Sequence, residues 1–224
     1  MNAAFWNAIR PMFGGVLKQS QVNGIETILA ASDGLPISHR AYLLATAKHE
    51  TADTMQPITE YGGRRYFDKY DTGKLAKALG NTPEADGDGF RYRGRGYVQI
   101  TGRANYTKAG GKLGVDLIAN HDAALNPDIA ARILVRGCSE GWFTGKKLSD
   151  YLPDDFRNAR RVVNGTDRAD LIASYAIEFG KALAAGQVKE TPKIEHVAPV
   201  VLPKPSLWAQ LIAAILAILK GPRK

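Results

Sequence analysis

No stretch of the first 186 residues sustains the strict apolar–polar alternation of a half-buried strand; apolar residues recur instead at spacings of three and four, between polar turns. That periodicity restricts the chain to a mainly α fold. Val22 to Ala31 places Ile25, Ile28 and Leu29 on one helical face and is closed by Asp33, Gly34 and Pro36. Ser38 reads as the N-cap of a helix from His39 to Thr51, with Tyr42, Leu43, Ala45, Thr46 and Ala47 as its core-facing stripe. Asn126 before Pro127 starts a helix that continues to about Trp142. Asp154 to Val163 reads as another, ending at Asn164 and Gly165, and Asp167 to Ala185 as a last one stopped by Gly186.

Between these helices lies Gln56 to Asn105, rich in Gly, Arg, Tyr and Asp and too long to be a plain connector. Long ordered loops usually carry function, so a candidate site is sought there first. Two classes fall away on composition. A 45% apolar content is too high for a disordered chain, and one cysteine among 224 residues allows no internal disulfide framework. Four histidines (His39, His49, His121, His196) show no zinc spacing, so no structural metal is expected. Cys138 sits among Ile133, Leu134, Val135, Trp142 and Phe143 and reads as a buried thiol rather than a nucleophile.

The formal net charge of +8 is uneven: residues 187–224 carry six Lys/Arg against Glu190 and Glu195. Such a balance points to a polyanionic partner. Three regions are expected: a domain over 1–186, a linker over 187–206 made extended by Pro192, Pro199, Pro203 and Pro205, and an apolar, cationic helix over 207–224. Leu207 to Leu219 has Gln210 as its only polar residue, and as a helix it would be roughly 20 Å long against about 30 Å of hydrocarbon. It matches an interfacial segment, with Trp208, Leu211, Ile212 and Ile215 entering an anionic membrane or lipopolysaccharide and Lys220, Arg223 and Lys224 on the headgroups. Docking on the domain, or self-association along Ala209, Ala213 and Ala217, would use the same residues. Residues 1–15 lack the pattern of a secretory signal peptide, so synthesis in the cytoplasm is expected, with membrane passage by another route.

The sharpest chemical feature is Lys48-His49-Glu50-Thr51 at the end of a buried helix, with Glu60 ten residues later in the loop. A carboxyl on a buried helix beside a cleft is placed to be a general acid, and a loop carboxylate facing it can hold a water as general base. Two surface glutamates would give the same spacing. The run Gly94-Arg95-Gly96-Tyr97-Val98-Gln99-Ile100-Thr101, with Asn105 and Tyr106, gathers amides, a hydroxyl and aromatic rings suited to an uncharged polyhydroxylated ligand. It lacks the full glycine fingerprint of a nucleotide site, and the Glu84 to Arg95 stretch has arginine where a calcium loop needs glutamate. Arg64, Arg65, Arg91, Arg93 and Arg95 could attract an anionic ligand or simply pair with Asp68, Asp71, Asp86 and Asp88.

These motifs together resemble glycoside hydrolase family 19, the chitinase-like family that also occurs as phage endolysins. The resemblance runs from about residue 10 to 185: Arg10-Pro11-Met12-Phe13-Gly14-Gly15, His49-Glu50-Thr51, Met55-Gln56-Pro57-Ile58, Glu60-Tyr61-Gly62, Tyr66-Phe67-Asp68-Lys69-Tyr70, the Gly94 to Tyr106 run and Val163-Asn164-Gly165. It implies a lysozyme-like helical domain with long active-site loops and an inverting, two-carboxylate glycosidase needing no cofactor. Glu50 matches the general acid and Glu60 the carboxylate that activates water, the two lying roughly 6.5–9.5 Å apart in such enzymes. Thr101 matches a hydroxyl that helps hold the water. Gln99, Asn105 and Asn164 match sugar-binding positions, Tyr97 is expected along the groove, Tyr61 beside it, and His49 to orient or pack near Glu50. A chain unable to form disulfides is similar to the bacterial and phage branch. The implied substrate is therefore the peptidoglycan glycan strand, cleaved by a monomer outside the cytoplasm with no nucleic-acid partner. Chitin is the alternative substrate, and a non-enzymatic wall-binding or membrane-permeabilising protein is the alternative of another class.

Overall fold

The computed structural model describes residues 1–187, which belong to one compact unit. The linker and the apolar cationic segment, with Trp208, Leu211, Ile212, Ile215, Lys220, Arg223 and Lys224, lie outside the described residues. The described chain is mainly helical, with α1 (Ala3–Ile9), α2 (Gln19–Ala31), α3 (Ile37–Glu50), α4 (Arg64–Phe67), α5 (Gly73–Leu79), α6 (Asp88–Arg91), α7 (Arg103–Leu113), α8 (Pro127–Glu140) and α9 (Ala169–Gln187). Two two-residue strands, β1 (Ile58–Thr59) and β2 (Arg95–Gly96), pair antiparallel with Ile58 opposite Gly96. A ladder this short leaves no alternation to read in a sequence.

The core is organised around α3, in which all eight residues from Ala41 to Lys48 are buried. A helix apolar on every side needs neighbours on every side. α9 is its main partner and also carries α1, while α2 packs on α8. Gly180 on α9 faces Ala41 on α3, where a Cβ would make an ordinary 3.8 Å contact. The start of α3 differs from expectation: Pro36, with φ of −53°, is the N-cap, and Ser38 lies inside the first turn.

α8 follows its sequence signals. The Asn126 side chain accepts hydrogen bonds from the Asp128 and Ile129 amides, Pro127 takes the first position, and Gly141 closes the helix in the left-handed conformation. Two other expectations are corrected. Residues 154–163 form only a 3₁₀ turn at Asn158–Val162, because the Asp155 carboxylate accepts from the Asn158 backbone N–H (2.9 Å) and side-chain amide (2.7 Å), competing with helical bonding. α9 runs through Gly186 to Gln187; that glycine permits close approach to Phe5, whose Cβ would stand 3.0 Å from a Gly186 Cβ.

The Gln56–Asn105 region contains the hairpin and α4 to α6, and β1·β2 brings the chain just after α3 against the glycine-rich run. Gly24 on α2 supports the turn before β1: a Cβ there would lie 1.7 Å from the Met55 carbonyl oxygen. In an ordinary helix interior Gly→Ala stabilises by about 0.5–1 kcal/mol. Gly24→Ala is expected to do the reverse, costing about 2 kcal/mol and lowering Tm by roughly 4–8 °C in a thermal melt. A Tm at or above that of the wild type would refute the close approach.

Candidate active site

A cleft of about 540 Å³ opens at the C-terminal end of α3. Glu50, the last residue of α3, lines it together with Gln99, Thr101, Asn105 and Asn164. Leu75, Ala78 and Leu79 of α5 form one apolar wall, and Phe143 and Val163 contribute further apolar surface. The cleft thus combines one carboxyl, a neutral amide and hydroxyl set, and apolar surface, which suits a polyhydroxylated chain with apolar ring faces.

Glu50 has a partner that its own motif does not announce. Arg160 Nη1 donates to Glu50 Oε1 at 2.7 Å, and the side chains are 3% and 19% exposed. Arg160 Nε also donates to the Asp167 carbonyl oxygen (3.2 Å), so the guanidinium is held at both ends. Arg160 lies in the 3₁₀ turn that leads into Val163 and Asn164, and its carbonyl accepts the Asn164 N–H (3.0 Å). One segment therefore delivers both the partner of Glu50 and a cleft amide. Sequence reasoning missed this residue, whose only signal was an arginine three positions before the Val163-Asn164-Gly165 motif. Cys138 is close enough to feel both charges: burial pushes its thiol up to about 12, Arg160 opposing and Glu50 reinforcing the shift. Burial likewise raises the Tyr42 hydroxyl, again opposed by Arg160.

Glu60 follows β1 and is half-buried. Its backbone N–H donates to the Gly94 carbonyl (2.7 Å), and its Oε2 accepts the Gly94 N–H (3.0 Å). A Cβ at Gly94 would stand 2.9 Å from Gln99 Oε1 and 3.1 Å from Glu60 Oε2, so a larger residue there would displace both side-chain ends. The Tyr70 hydroxyl donates to Glu60 Oε1 at 3.2 Å, and Tyr70 itself lines the cleft. Glu60 is thus joined to the cleft through Tyr70 and is not itself among its lining residues. Burial, and then the Glu60 charge, raise the Tyr70 hydroxyl above its ordinary value and keep it a donor.

The neutral groups are tied to the hairpin. Gln99 takes φ of +53°, and its Nε2 donates to the carbonyls of Ile58 and Gly96, each at 2.9 Å. Thr101 Oγ1 donates to the Gln99 carbonyl (3.0 Å), and Asn105 Nδ2 to the Thr101 carbonyl (2.8 Å). Asn164 Oδ1 accepts from the Gly165 N–H (2.8 Å). Each side chain has one end fixed and another left for a ligand.

Three expected residues stand elsewhere. Tyr97 is fully buried, which corrects its placement along the groove; burial pushes its phenol up to about 12, and the Asp128 charge adds to the shift. Tyr61 is 100% exposed next to Glu60, and His49 is half-buried; neither lines the cleft. The arginine question divides. Arg91 pairs with Asp88 (2.7 Å), the guanidinium groups of Arg64 and Arg93 lie over the Phe90 ring (5.3 and 4.0 Å), and Arg95, 1% exposed, pairs with Asp122 (2.8 Å) rather than with any expected aspartate. The Lys69 ammonium remains in solvent over the rings of Tyr66 (3.5 Å) and Tyr70 (4.8 Å).

Comparison with known proteins relates this helical scaffold, whose central helix ends in a cleft carboxylate, to one family. Residues 36–139 match the class I chitinase model of glycoside hydrolase family 19. A family 19 domain-containing protein of Haemophilus influenzae is 47% identical over 60 residues, covering 27% of this chain and 30% of its own. An endochitinase of Arabidopsis thaliana is 28% identical over 164 residues, 72% of this chain and 54% of its own. The chain therefore spans about a third to a half of the length of these curated relatives. In fold it is similar to a bacterial family 19 chitinase (TM-score 0.52, 19% identity, 82% of this chain and 94% of that one). A mutant of chitinase C gives the same TM-score of 0.52 at 16% identity, over 82% and 76% of the two chains. The match to glycoside hydrolase family 19 thus covers residues 36–139, and the helical fold is similar to that of family 19 chitinases.

Two chemical outcomes follow from the buried groups. A disulfide reagent at pH 8 is expected to leave Cys138 unmodified in the folded protein and to react stoichiometrically in denaturant, because a thiol with a pKa of about 12 is almost wholly protonated there. Tyr97→Phe is expected to leave KM within about twofold of the wild type, whereas Asn164→Ala, which removes a cleft hydrogen-bonding group, raises it roughly tenfold. A raised KM for Tyr97→Phe would return Tyr97 to the groove.

Proposed function

We propose that this protein is an endolysin-type glycosidase that hydrolyses β-1,4 bonds between N-acetylated sugars of peptidoglycan with inversion, serving lysis of a bacterial host cell. The observation that carries this reading is the cleft in which Glu50 stands beside Gln99, Thr101, Asn105 and Asn164, with Glu60 linked to it through Tyr70. Glu50 in its protonated form gives its proton to the glycosidic oxygen as the C1–O bond breaks. A water held near Thr101 attacks C1 from the opposite face and passes its proton to the Glu60 carboxylate, so the new reducing end has the opposite anomeric configuration. Arg160 keeps its hydrogen bond to Glu50 Oε1 and leaves Oε2 to carry the proton to the glycosidic oxygen; after product leaves, exchange with solvent takes the proton from Glu60 and returns one to Glu50.

The choice of peptidoglycan is supported by charge and by cysteine content. A net charge of +8 and an exposed Lys69 beside the cleft-lining Tyr70 favour a polymer with anionic peptide stems over neutral chitin, and a single cysteine suits a chain without disulfides. The chitinase reading is supported by the likeness to the plant endochitinase. The proposed site of action is the cell wall, beyond the membrane. The segment 207–224, outside the described residues, is proposed to act on anionic lipid; a truncation after residue 186 that permeabilises Gram-negative cells as well as the full chain would refute that role.

The test compares wild type, Glu50→Gln and Glu60→Gln on purified sacculi and on soluble chitin oligomers, with product masses and anomeric NMR. Glutamine keeps one acceptor oxygen but removes the ionisable proton and, at Glu50, the charge that pairs with Arg160, so each variant is compared with wild type at a temperature where a thermal melt shows it folded. Each variant is expected to lose about 10²–10⁴ in rate, with wild type releasing reducing N-acetylmuramic ends of inverted configuration from sacculi. Release from chitin alone would establish the chitinase; no release from either would leave a binding or permeabilising protein.

A further inference from the structure

Lys48 lies two residues before Glu50 on α3, yet no step of the proposed hydrolysis uses it. Only 1% of it is exposed, and its ammonium is ion-paired with Asp53 and stands 4.6 Å from the centroids of both the Phe13 and Tyr175 rings. Phe13 ends the 3₁₀ helix Arg10–Phe13, and Tyr175 belongs to α9. The Arg10 to Gly15 motif, remote in sequence from both carboxylates, thus supplies one wall of an aromatic box around this cation. A buried ammonium is costly unless paired, and an apolar side chain of similar length would fill the same box without that cost.

What the charge holds is the turn that follows Glu50. Ala52, Asp53 and Met55 take φ of +47°, +66° and +53°, three non-glycine residues in the left-handed region within four positions. Such backbone persists only where its surroundings over-determine it. Here they do: Asp53 N–H donates to the Lys48 carbonyl (2.9 Å), Gln21 Nε2 to the Asp53 carbonyl (2.9 Å), and Met55 N–H to Thr51 Oγ1 (3.0 Å). The Asp53 carboxylate, whose side chain is 58% exposed, is drawn back onto Lys48. This wound turn is the covalent path from Glu50 to β1 and Glu60.

We propose that Lys48 and Asp53, boxed by Phe13 and Tyr175, form a positioning clasp that sets the separation of Glu50 and Glu60. The clasp touches no substrate; it acts through the turn, and it rests on the two-carboxylate reading above. An inverting enzyme must hold its carboxyls far enough apart to admit one water, and a displacement of about 1 Å can cost on the order of 10²-fold in rate. The exposed side of Asp53 makes the clasp accessible to mutation without opening the core.

The experiment uses the full chain as wild type, Lys48→Met, Asp53→Asn, the double variant and Glu50→Gln. kcat and KM are measured on whichever of soluble glycan strands or chitin oligomers the wild type cleaves, at a temperature well below every Tm. Both single variants are expected to lose about 10- to 100-fold in kcat with KM within about twofold, and the double variant to be no worse than the poorer single one. kcat within twofold of wild type for Asp53→Asn, or losses that multiply in the double variant, would overturn the clasp. Should Lys48→Met fail to fold, Asp53→Asn decides alone, since its site is largely exposed. A Glu50→Gln protein as active as wild type, or a wild type inactive on both substrates, would overturn the two-carboxylate reading itself. An inactive Glu50→Gln beside an unimpaired Asp53→Asn overturns only the clasp.

Discussion

The ion pair between Arg160 and Glu50 joins the two halves of the cleft. Glu50 comes from α3, the helix around which the core is built, and Arg160 from a 3₁₀ turn more than a hundred residues later. Because the guanidinium is almost wholly buried, removing its partner would leave an uncompensated charge at a cost of about 3–5 kcal/mol. The pair also fixes which way the following residues leave the turn, and so where Val163 and Asn164 meet the cleft. The buried thiol of Cys138 and the hydroxyl of Tyr42 belong to the same floor, and their raised pKa values keep both neutral. Among the described residues lining the cleft Glu50 is the one carboxyl, and Arg160 is its ion-pair partner.

The second half of the site is built on backbone rather than on buried charge. β1 and β2 are two residues each, yet their pairing carries Glu60 to Gly94 and anchors Gln99 to both strands. Thr101 and Asn105 extend the same chain of hydrogen bonds to the start of α7. A side chain at Gly94 would collide with Gln99 and Glu60, so one glycine sets the spacing of two functional groups. Small ladders of this kind resist sliding because each side-chain bond fixes register as well as position.

Much of this was legible in the sequence wherever the physics is local. Asn126-Pro127 and Gly141 mark α8 because capping and positive φ are properties of a few adjacent residues. Ile25, Ile28 and Leu29 mark the buried face of α2 for the same reason. The cleft residues Glu50, Gln99, Thr101, Asn105 and Asn164 were legible through motif resemblance, and the structure brings all five to one cavity. What escaped depends on distant partners. Arg160 becomes a site residue only when the fold sets it against Glu50, and Tyr97 leaves the groove because it is fully buried in the core, where the Asp128 charge reaches it. The 154–163 helix failed for a local reason overlooked in its apolar pattern, the competition of the Asp155 carboxylate for the Asn158 amide.

On the proposed glycosidase reading, discrimination between glycans has to arise outside the cleft lining. The lining offers amides, a hydroxyl, a phenol and apolar walls, none of which distinguishes a sugar bearing a lactyl peptide from one without it by charge. The one lining carboxylate is held by Arg160, which leaves that guanidinium no freedom to meet an anionic stem. Arg95 is buried and Arg91 is paired, so the glycine-rich run contributes little free positive charge. On the proposed peptidoglycan reading, Lys69, in solvent over Tyr66 and the cleft-lining Tyr70, is a cation available to a peptide carboxylate beside the cleft. Its ammonium is fully solvated, so the attraction it supplies is screened within about 8 Å at physiological salt. Selectivity for an acidic glycan through this residue would then weaken with ionic strength, while hydrogen bonding by Gln99, Asn105 and Asn164 would not.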